Sequence, residues 1–277
     1  VYGRHDRGPA RRRIVSVHPF RAQAFPDMDL LYAVVVIGAV IGGFIQGLSG
    51  FAFALVAMSI WAWVLDPAVA AVLVVFGATT GQVMGAISTR LRFDAKRAVP
   101  YLIGGLIGIP LGVRVLPYLD PQTFRFGLGA FLVLWCPTML TIRSLPRITA
   151  GGRVADGVIG MMGGVMGGIG GVSGPIPTLW ITMRGYGKDI ERALIQTFNL
   201  AILSSTLVVY TVSGLVTVDL LPLFAIVAAA VLVPSWLGAK MYAGIADVTF
   251  RRIVLCLLAV SGVLLLASSA GHVLGWS

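Results

Sequence analysis

Charge is what this sequence has least of. Only 12% of its 277 residues are Asp, Glu, Lys or Arg, about half the share of a soluble domain. The eleven carboxylates are Asp6, Asp27, Asp29, Asp66, Asp94, Asp120, Asp156, Asp189, Glu191, Asp219 and Asp247. All fall near the N-terminus, between apolar runs or at the end of one. A carrier of Na⁺ or H⁺ ordinarily shows carboxylates in mid-span, because a charge in the bilayer is costly and is kept there for function. Their absence argues against a cation substrate and against a carboxylate-based proton relay. Cysteine is scarcer still. Cys136 and Cys256 both sit inside apolar runs with no His or Cys at metal-ligand spacing, so neither a metal site nor a disulfide is expected. The three histidines, His5, His18 and His272, lie outside the runs. There is no HExxH and no GxSxG, and the glycine-rich stretch 163–174 lacks the Gly-Lys-Ser/Thr ending of a P-loop. No catalytic residue, metal or cofactor is expected, and the chain reads as something other than an enzyme.

What the sequence has is apolar length. Hydrophobic residues make up 57%, gathered into runs at about 30–48, 51–65, 68–89, 98–117, 124–142, 156–172, 174–183, 193–212, 219–239 and 252–271. A helix needs about 20 residues to span the hydrocarbon core. The pattern therefore predicts an all-α, polytopic integral membrane protein in contact with the lipid bilayer. The net charge of +10 would suggest nucleic-acid binding in a soluble protein. Here the basic residues sit in loops, where the positive-inside rule accounts for them, so no nucleic-acid partner is expected. Residues 1–28 are a basic tail with Arg4, Arg7, Arg11, Arg12, Arg13 and Arg21 and no apolar core, too polar for a signal peptide. Met28 stands just before the first run and is expected to be the native start, which N-terminal sequencing of the native gene product would test.

Two runs, 51–65 and 174–183, are short, and each follows a glycine-rich interruption. Glycine costs about 1 kcal/mol in a helix interior and proline about 3, so both read as helix breaks inside the membrane. The breaks are copies of one unit. Gly42-Gly43-Phe44-Ile45-Gln46-Gly47-Leu48-Ser49-Gly50 aligns with Gly163-Gly164-Val165-Met166-Gly167-Gly168-Ile169-Gly170-Gly171. Independently, Leu111-Gly112-Val113-Arg114 with Thr123-Phe124-Arg125 aligns with Leu237-Gly238-Ala239-Lys240 with Thr249-Phe250-Arg251. Such self-similarity marks an internal duplication. The predicted organisation is a tail at 1–28, a first transmembrane repeat at 29–142, a linker at 143–154 and a second repeat at 155–277.

Charge also sets orientation. Basic loops occur at 90–97, 143–153, 184–192 and 240–252. All four fall on the cytoplasmic side if each broken pair enters and returns as a re-entrant hairpin. If the pairs crossed as single spans, 184–192 and 240–252 would lie outside. A hairpin plus three spans gives each half an odd number of crossings, so the second half is expected to be inverted, as in secondary transporters.

Broken helices present free backbone N–H groups and partial positive charge at half-helix N-termini, which suits an anion. The expected substrate-binding residues are Gln46, Gly47, Ser49, Gly50 and Phe51 at the first break. Gly170, Gly171, Ser173, Gly174 and Pro175 are expected at the second, with Thr79, Gln196 and Asn199 on the helices that follow. Thr80, Gln82 and Thr197 are further uncharged midplane groups. For any single glycine the default reading is close helix packing, since Gly163, Gly167 and Gly171 form a small-xxx-small ladder. A lone intramembrane Asn or Thr is more often interhelical glue than ligand. Arg114 and Lys240 read by default as snorkelling side chains. Trp61, Trp63 and Trp236 read as interface anchors.

The break from Gly43 to Phe51, its copy from Gly164 to Pro177, and the Leu-Gly-x-Arg/Lys…Thr-Phe-Arg pattern resemble the TauE/SafE permeases. The resemblance covers 29–271. It implies a multi-pass permease of the bacterial inner membrane that exports sulfite, sulfoacetate or another organosulfonate, with the stretches Gly47–Phe51 and Gly170–Pro175 lining its path. The first copy has fewer glycines than the second, which implies an asymmetric site. An anion channel, an importer of another small oxyanion or carboxylate, and a non-transporting membrane module remain as rivals to an alternating-access carrier.

Overall fold

A computed structural model describes residues 28–89, 94–141, 147–148, 150–242 and 248–273. The basic tail that bears on the Met28 start, part of the 143–154 linker, and the loop residues Arg90, Arg92, Arg143 and Asp247 lie outside that set. The described residues form ten α-helices and no strand: α1 (Met28–Ser49), α2 (Phe53–Trp61), α3 (Pro67–Thr89), α4 (Ala95–Val115), α5 (Pro121–Thr141), α6 (Gly152–Gly170), α7 (Pro175–Arg184), α8 (Lys188–Val212), α9 (Leu221–Tyr242) and α10 (Val248–Val273). Seven of them, all but α2, α6 and α7, are long and apolar enough to cross a membrane. The protein is a polytopic membrane protein.

Local chemistry explains the helix ends. Pro67, Pro121 and Pro175 each open a helix, where a missing N–H is not needed. The loop carboxylates act as caps. Asp66 accepts from Ala68 N at 2.9 Å, Asp94 from Arg97 N at 3.2 Å, and Asp120 from Thr123 N at 2.9 Å. Each satisfies a backbone donor that the first helical turn leaves free.

The two short helices fold back on their predecessors. Trp61, at the end of α2, donates from Nε1 to the Val34 carbonyl near the start of α1 at 3.2 Å. Its ring lies where a Cβ on Gly38 would be. Trp61 is fully buried, so it locks a hairpin rather than anchoring an interface as expected. Tryptophan spacing alone does not reveal which ring faces a neighbouring helix. Trp63 and Trp236 are 40% exposed. In the second hairpin, α7 brings Trp180 and Arg184 back to Asp156 in the second turn of α6.

The longer helices pair across the duplication. α4 packs along α6, and α1 packs along α9. α3 and α8 pack on each other, α3 also meets α9, and α8 also meets α4; α5 pairs with α10. Every such contact has a counterpart when the halves are exchanged. Glycine makes the closest contacts possible. A Cβ on Gly112 would strike the Val165 carbonyl and the Gly168 backbone, and one on Gly238 would strike the Phe44 carbonyl and the Gly47 backbone. Phe44 and Val165 are repeat mates, as are Gly47 and Gly168. The two motifs that betray the duplication are thus packed against each other, each on the copy in the other half.

Three of the basic segments meet at one end of the bundle. The Arg97 guanidinium lies 5.2 Å from the Tyr186 ring centroid, Arg184 donates to the Ala150 and Gly152 carbonyls, and Ile148 N donates to Met183 O at 2.9 Å.

Candidate functional site at the paired helix breaks

Each break begins with the same device. α1 closes with Gly50 N donating to Gln46 O at 2.7 Å, and α6 closes with Gly171 N donating to Gly167 O at 2.8 Å. Gly50 has φ +84° and Gly171 φ +72°, the left-handed region in which a Cβ is strained. These glycines are repeat mates, as are Gln46 and Gly167. The two breaks share backbone geometry as well as composition.

Side chains of the following helix then hold each break. Gln82 of α3 donates from Nε2 to the Gly50 carbonyl at 2.6 Å. Ser49 Oγ accepts from Ala52 N at 3.1 Å and from Phe51 N at 3.4 Å. In the second break, Ser173 Oγ donates to Asn199 Oδ1 of α8 at 2.9 Å, while Asn199 Nδ2 donates to Ile195 O at 2.9 Å. Asn199 is 1% exposed and Ser173 likewise 1%, so this bond substitutes for water that cannot reach them. Gln46 donates to the Ala78 carbonyl at 2.8 Å. Among the described residues its buried Oε1 has no hydrogen-bond partner, and the same is true of Thr178 Oγ1 in the first turn of α7.

The breaks touch. A Cβ on Gly174 would lie 2.9 Å from the Phe51 Cβ and 3.1 Å from Asn199 Oδ1. Gly174 is the N-cap of α7, and Phe51 lies two residues before α2. The N-cap of α7 thus meets the residue that leads into α2, and neither helix is capped at its N-terminus by a side chain. Their donors differ. α2 offers the N–H groups of Phe53, Ala54 and Leu55, which have no intrahelical partner. In α7, Pro175 and Pro177 carry no N–H, leaving that of Ile176. The first break is open, with Ser49 exposed and Gly50 and Phe51 half-buried, whereas residues 170–175 are all buried.

The structure brings Phe51, Gly174 and Asn199 together, with Ser49 and Gly50 preceding Phe51 in the chain and Ser173 and Pro175 flanking Gly174, and places the others elsewhere. Gln46 reaches the Ala78 carbonyl of α3, and Gly171 faces Val74 and Val75 of the same helix. Gly47 is pressed on the α9 backbone at Ser235, Gly238 and Ala239, which makes it a packing glycine. Thr79 Oγ1 donates to Val75 O of its own helix at 2.7 Å. Gln196 is buried beside Gly85 of α3. Gly170 faces Met58 and Phe124. There a cavity of about 330 Å³ is walled by Met58, Phe124, Phe131, Met166 and Val172, with Thr123 a polar residue of its lining.

A second polar centre escaped sequence reasoning. Asp156 Oδ1 accepts from Tyr101 OH at 2.8 Å, Trp180 Nε1 at 2.7 Å, and Arg184 Nη2 at 2.8 Å. The ion pair is almost fully buried, with side-chain exposures of 7% and 9%. A hairpin that returns to its starting side places residues 156 and 184 together, and that signal could have identified the pair. Among the described residues there is no group of His, Cys, Asp and Glu able to hold a metal ion.

Residues 34–265 match the family described as sulfite exporter TauE/SafE. No curated protein and no solved structure matches the chain.

Proposed function

We propose that this chain, which belongs to the sulfite exporter TauE/SafE family of membrane transporters, is a secondary carrier that exports sulfite, sulfoacetate or another organosulfonate across a bacterial inner membrane. One observation carries the reading: two repeat-related helix breaks, turned by Gly50 and Gly171, meet through Phe51 and Gly174. The anion sits between them. Its oxygens accept from the uncapped first turn of α2, where the helix dipole adds partial positive charge, and from the amide and hydroxyl groups beside it. A site built from neutral donors recognises an anion without burying a cation, which the bilayer would penalise.

The halves are inverted, with the basic end formed by residues 94–97, 147–156 and 183–187 in the cytoplasm. Alternating access moves units that cut across the sequence. α1 is seated backbone to backbone on α9, and α6 on α4. A rocking motion of one sequence half against the other would have to part both seams. The motion therefore carries α1 with α9 and α6 with α4, and opens between those pairs.

Counterflow in proteoliposomes preloaded with sulfite or sulfoacetate tests the reading, with chloride, acetate and phosphate as controls. Saturable exchange selective for the sulfur anions is expected. Single-channel currents would replace the carrier by a channel. Exchange of acetate or phosphate at equal rates would remove the sulfonate assignment.

A further inference from the structure

α4 and α6 run parallel with their N-termini at the basic end, and their seam is almost bare backbone. A Cβ on Gly104 would strike the Gly157 carbonyl, and one on Gly160 would strike that of Tyr101. Because the helices approach so closely, the side chains beside the seam stand up as walls. Val99, Ile103 and Ile107 rise from α4, and Val154, Val158 and Met161 from α6, around a trough of about 790 Å³. Five of these six are more than 40% exposed, as a lipid-facing surface requires. At the end of the trough stand Lys96 and Arg153. Neither has a carboxylate at ion-pair distance among the described residues. Their neighbour Arg97 is committed to Asp94 at 2.6 Å.

The duplicated seam between α1 and α9 supplies an internal control. By the alignment offsets of the repeat, Arg153 corresponds to Tyr32 and Lys96 to Pro222. The same packing recurs there without the two cations. The charge appears in the copy whose mouth lies at the basic end of the molecule.

From this trough and its two uncommitted cations we infer that the α4–α6 seam is a binding site for an anionic phospholipid. The phosphate lies between Lys96 and Arg153, and an acyl chain lies in the trough. Basic residues at the mouth of an apolar interhelical groove are a recognised basis for headgroup selection. The inference is independent of the transported substrate.

Native mass spectrometry of the purified full chain tests it, by titration with phosphatidylglycerol and with phosphatidylcholine of the same acyl chains. Two interfacial cations should favour the anionic lipid by about tenfold to thirtyfold. In the Lys96→Gln/Arg153→Gln protein that preference should fall to near unity. Both positions are exposed, so elution as a monodisperse species is expected and serves as the folding check. Ile107→Trp, which fills the trough and keeps both charges, should weaken both lipids. Glycerol phosphate, a headgroup without chains, should fail to compete. Equal affinity for the two lipids, a preference unchanged in the double variant, or competition by glycerol phosphate would each overturn the assignment.

Discussion

Gly50 and Gly171 share a backbone conformation but not an environment, and that difference makes a sharp test. Both have positive φ, so an alanine at either meets the same left-handed strain, about 1–2 kcal/mol. The loss of unfolded-chain freedom returns about 0.4–1 kcal/mol of it. At Gly50 nothing further happens, because a Cβ there meets no atom within 4 Å. At Gly171 the Cβ would lie 2.8 Å from Val74 Cγ1 and 3.1 Å from Val75 Cγ2. Both valines are fully buried in α3 and cannot swing away, which adds the about 1–3 kcal/mol typical of overpacking. Gly50→Ala should therefore cost about 1 kcal/mol and Gly171→Ala about 2–4. Gly50→Asn should be milder than Gly50→Ala, since asparagine enters the left-handed region more readily. The assay is the thermal midpoint of the detergent-solubilised protein, read by size-exclusion after heating. Equal losses at the two glycines, or an asparagine as damaging as alanine at Gly50, would refute the reasoning.

Asp156→Asn leaves a buried guanidinium uncompensated and should cost about 3–5 kcal/mol; an apolar Asp156→Leu/Arg184→Met double variant should be less damaging than either single change by the same thermal assay. Gly112→Ala and Gly238→Ala drive a methyl into repeat-related backbone contacts and should lower the midpoint alike, whereas Gly127→Ala, which has open space and helical geometry, should raise it slightly. Hydrogen bonds from the Thr123 side chain and backbone hold the Asp120 carboxyl below its ordinary range. That contribution is present above pH about 4 and is lost as pH falls through the depressed folded value. Asp120→Asn keeps the cap without titrating, so acid unfolding should show the wild type, and not the variant, losing stability across that window.

The parts of this fold that were legible in the sequence are those fixed by local physics. Apolar length located every helix, and glycine with proline located both breaks, because a positive φ or a missing N–H acts within a few residues. The run at 51–65 exceeds the helix Phe53–Trp61 by Phe51 and Ala52 at the break and by Ala62 to Leu65, which leave the helix. What stayed hidden is partner choice between distant segments. Gly47 carries the same local signal as Gly50, yet one is pressed on α9 and the other turns the chain. Nothing near residue 47 announces a contact with residue 238. Trp61 was misread for the same reason, since its ring is buried by Gly38 and Val34 of the preceding helix. Gln82 was visible as a midplane amide, but its bond to the Gly50 carbonyl depends on how α3 lies beside the break.

Duplication offers a way to separate what the fold requires from what the function has added. Gly50 and Gly171 agree in conformation, and so do the crossed contacts of Gly47 with Gly238 and Gly168 with Gly112. These positions answer to constraints that both copies share, namely reversal of the chain and close approach of two helices. The copies diverge immediately beyond the turn. The first continues through Phe51 to an α2 that keeps its N–H groups, and the second through Ser173 to an α7 whose Pro175 and Pro177 delete two donors. A strictly symmetric site would offer the same donors from both sides. Here the α2 turn after the first break keeps three backbone donors, at the buried residues Phe53, Ala54 and Leu55, and a closed Ser173–Asn199 bond occupies the second break. In the proposed carrier the α2 turn holds the anion and the buried break is the wall against which it is positioned; Gly174, where a Cβ would lie 2.9 Å from the Phe51 Cβ, is the point where any added side chain would intrude.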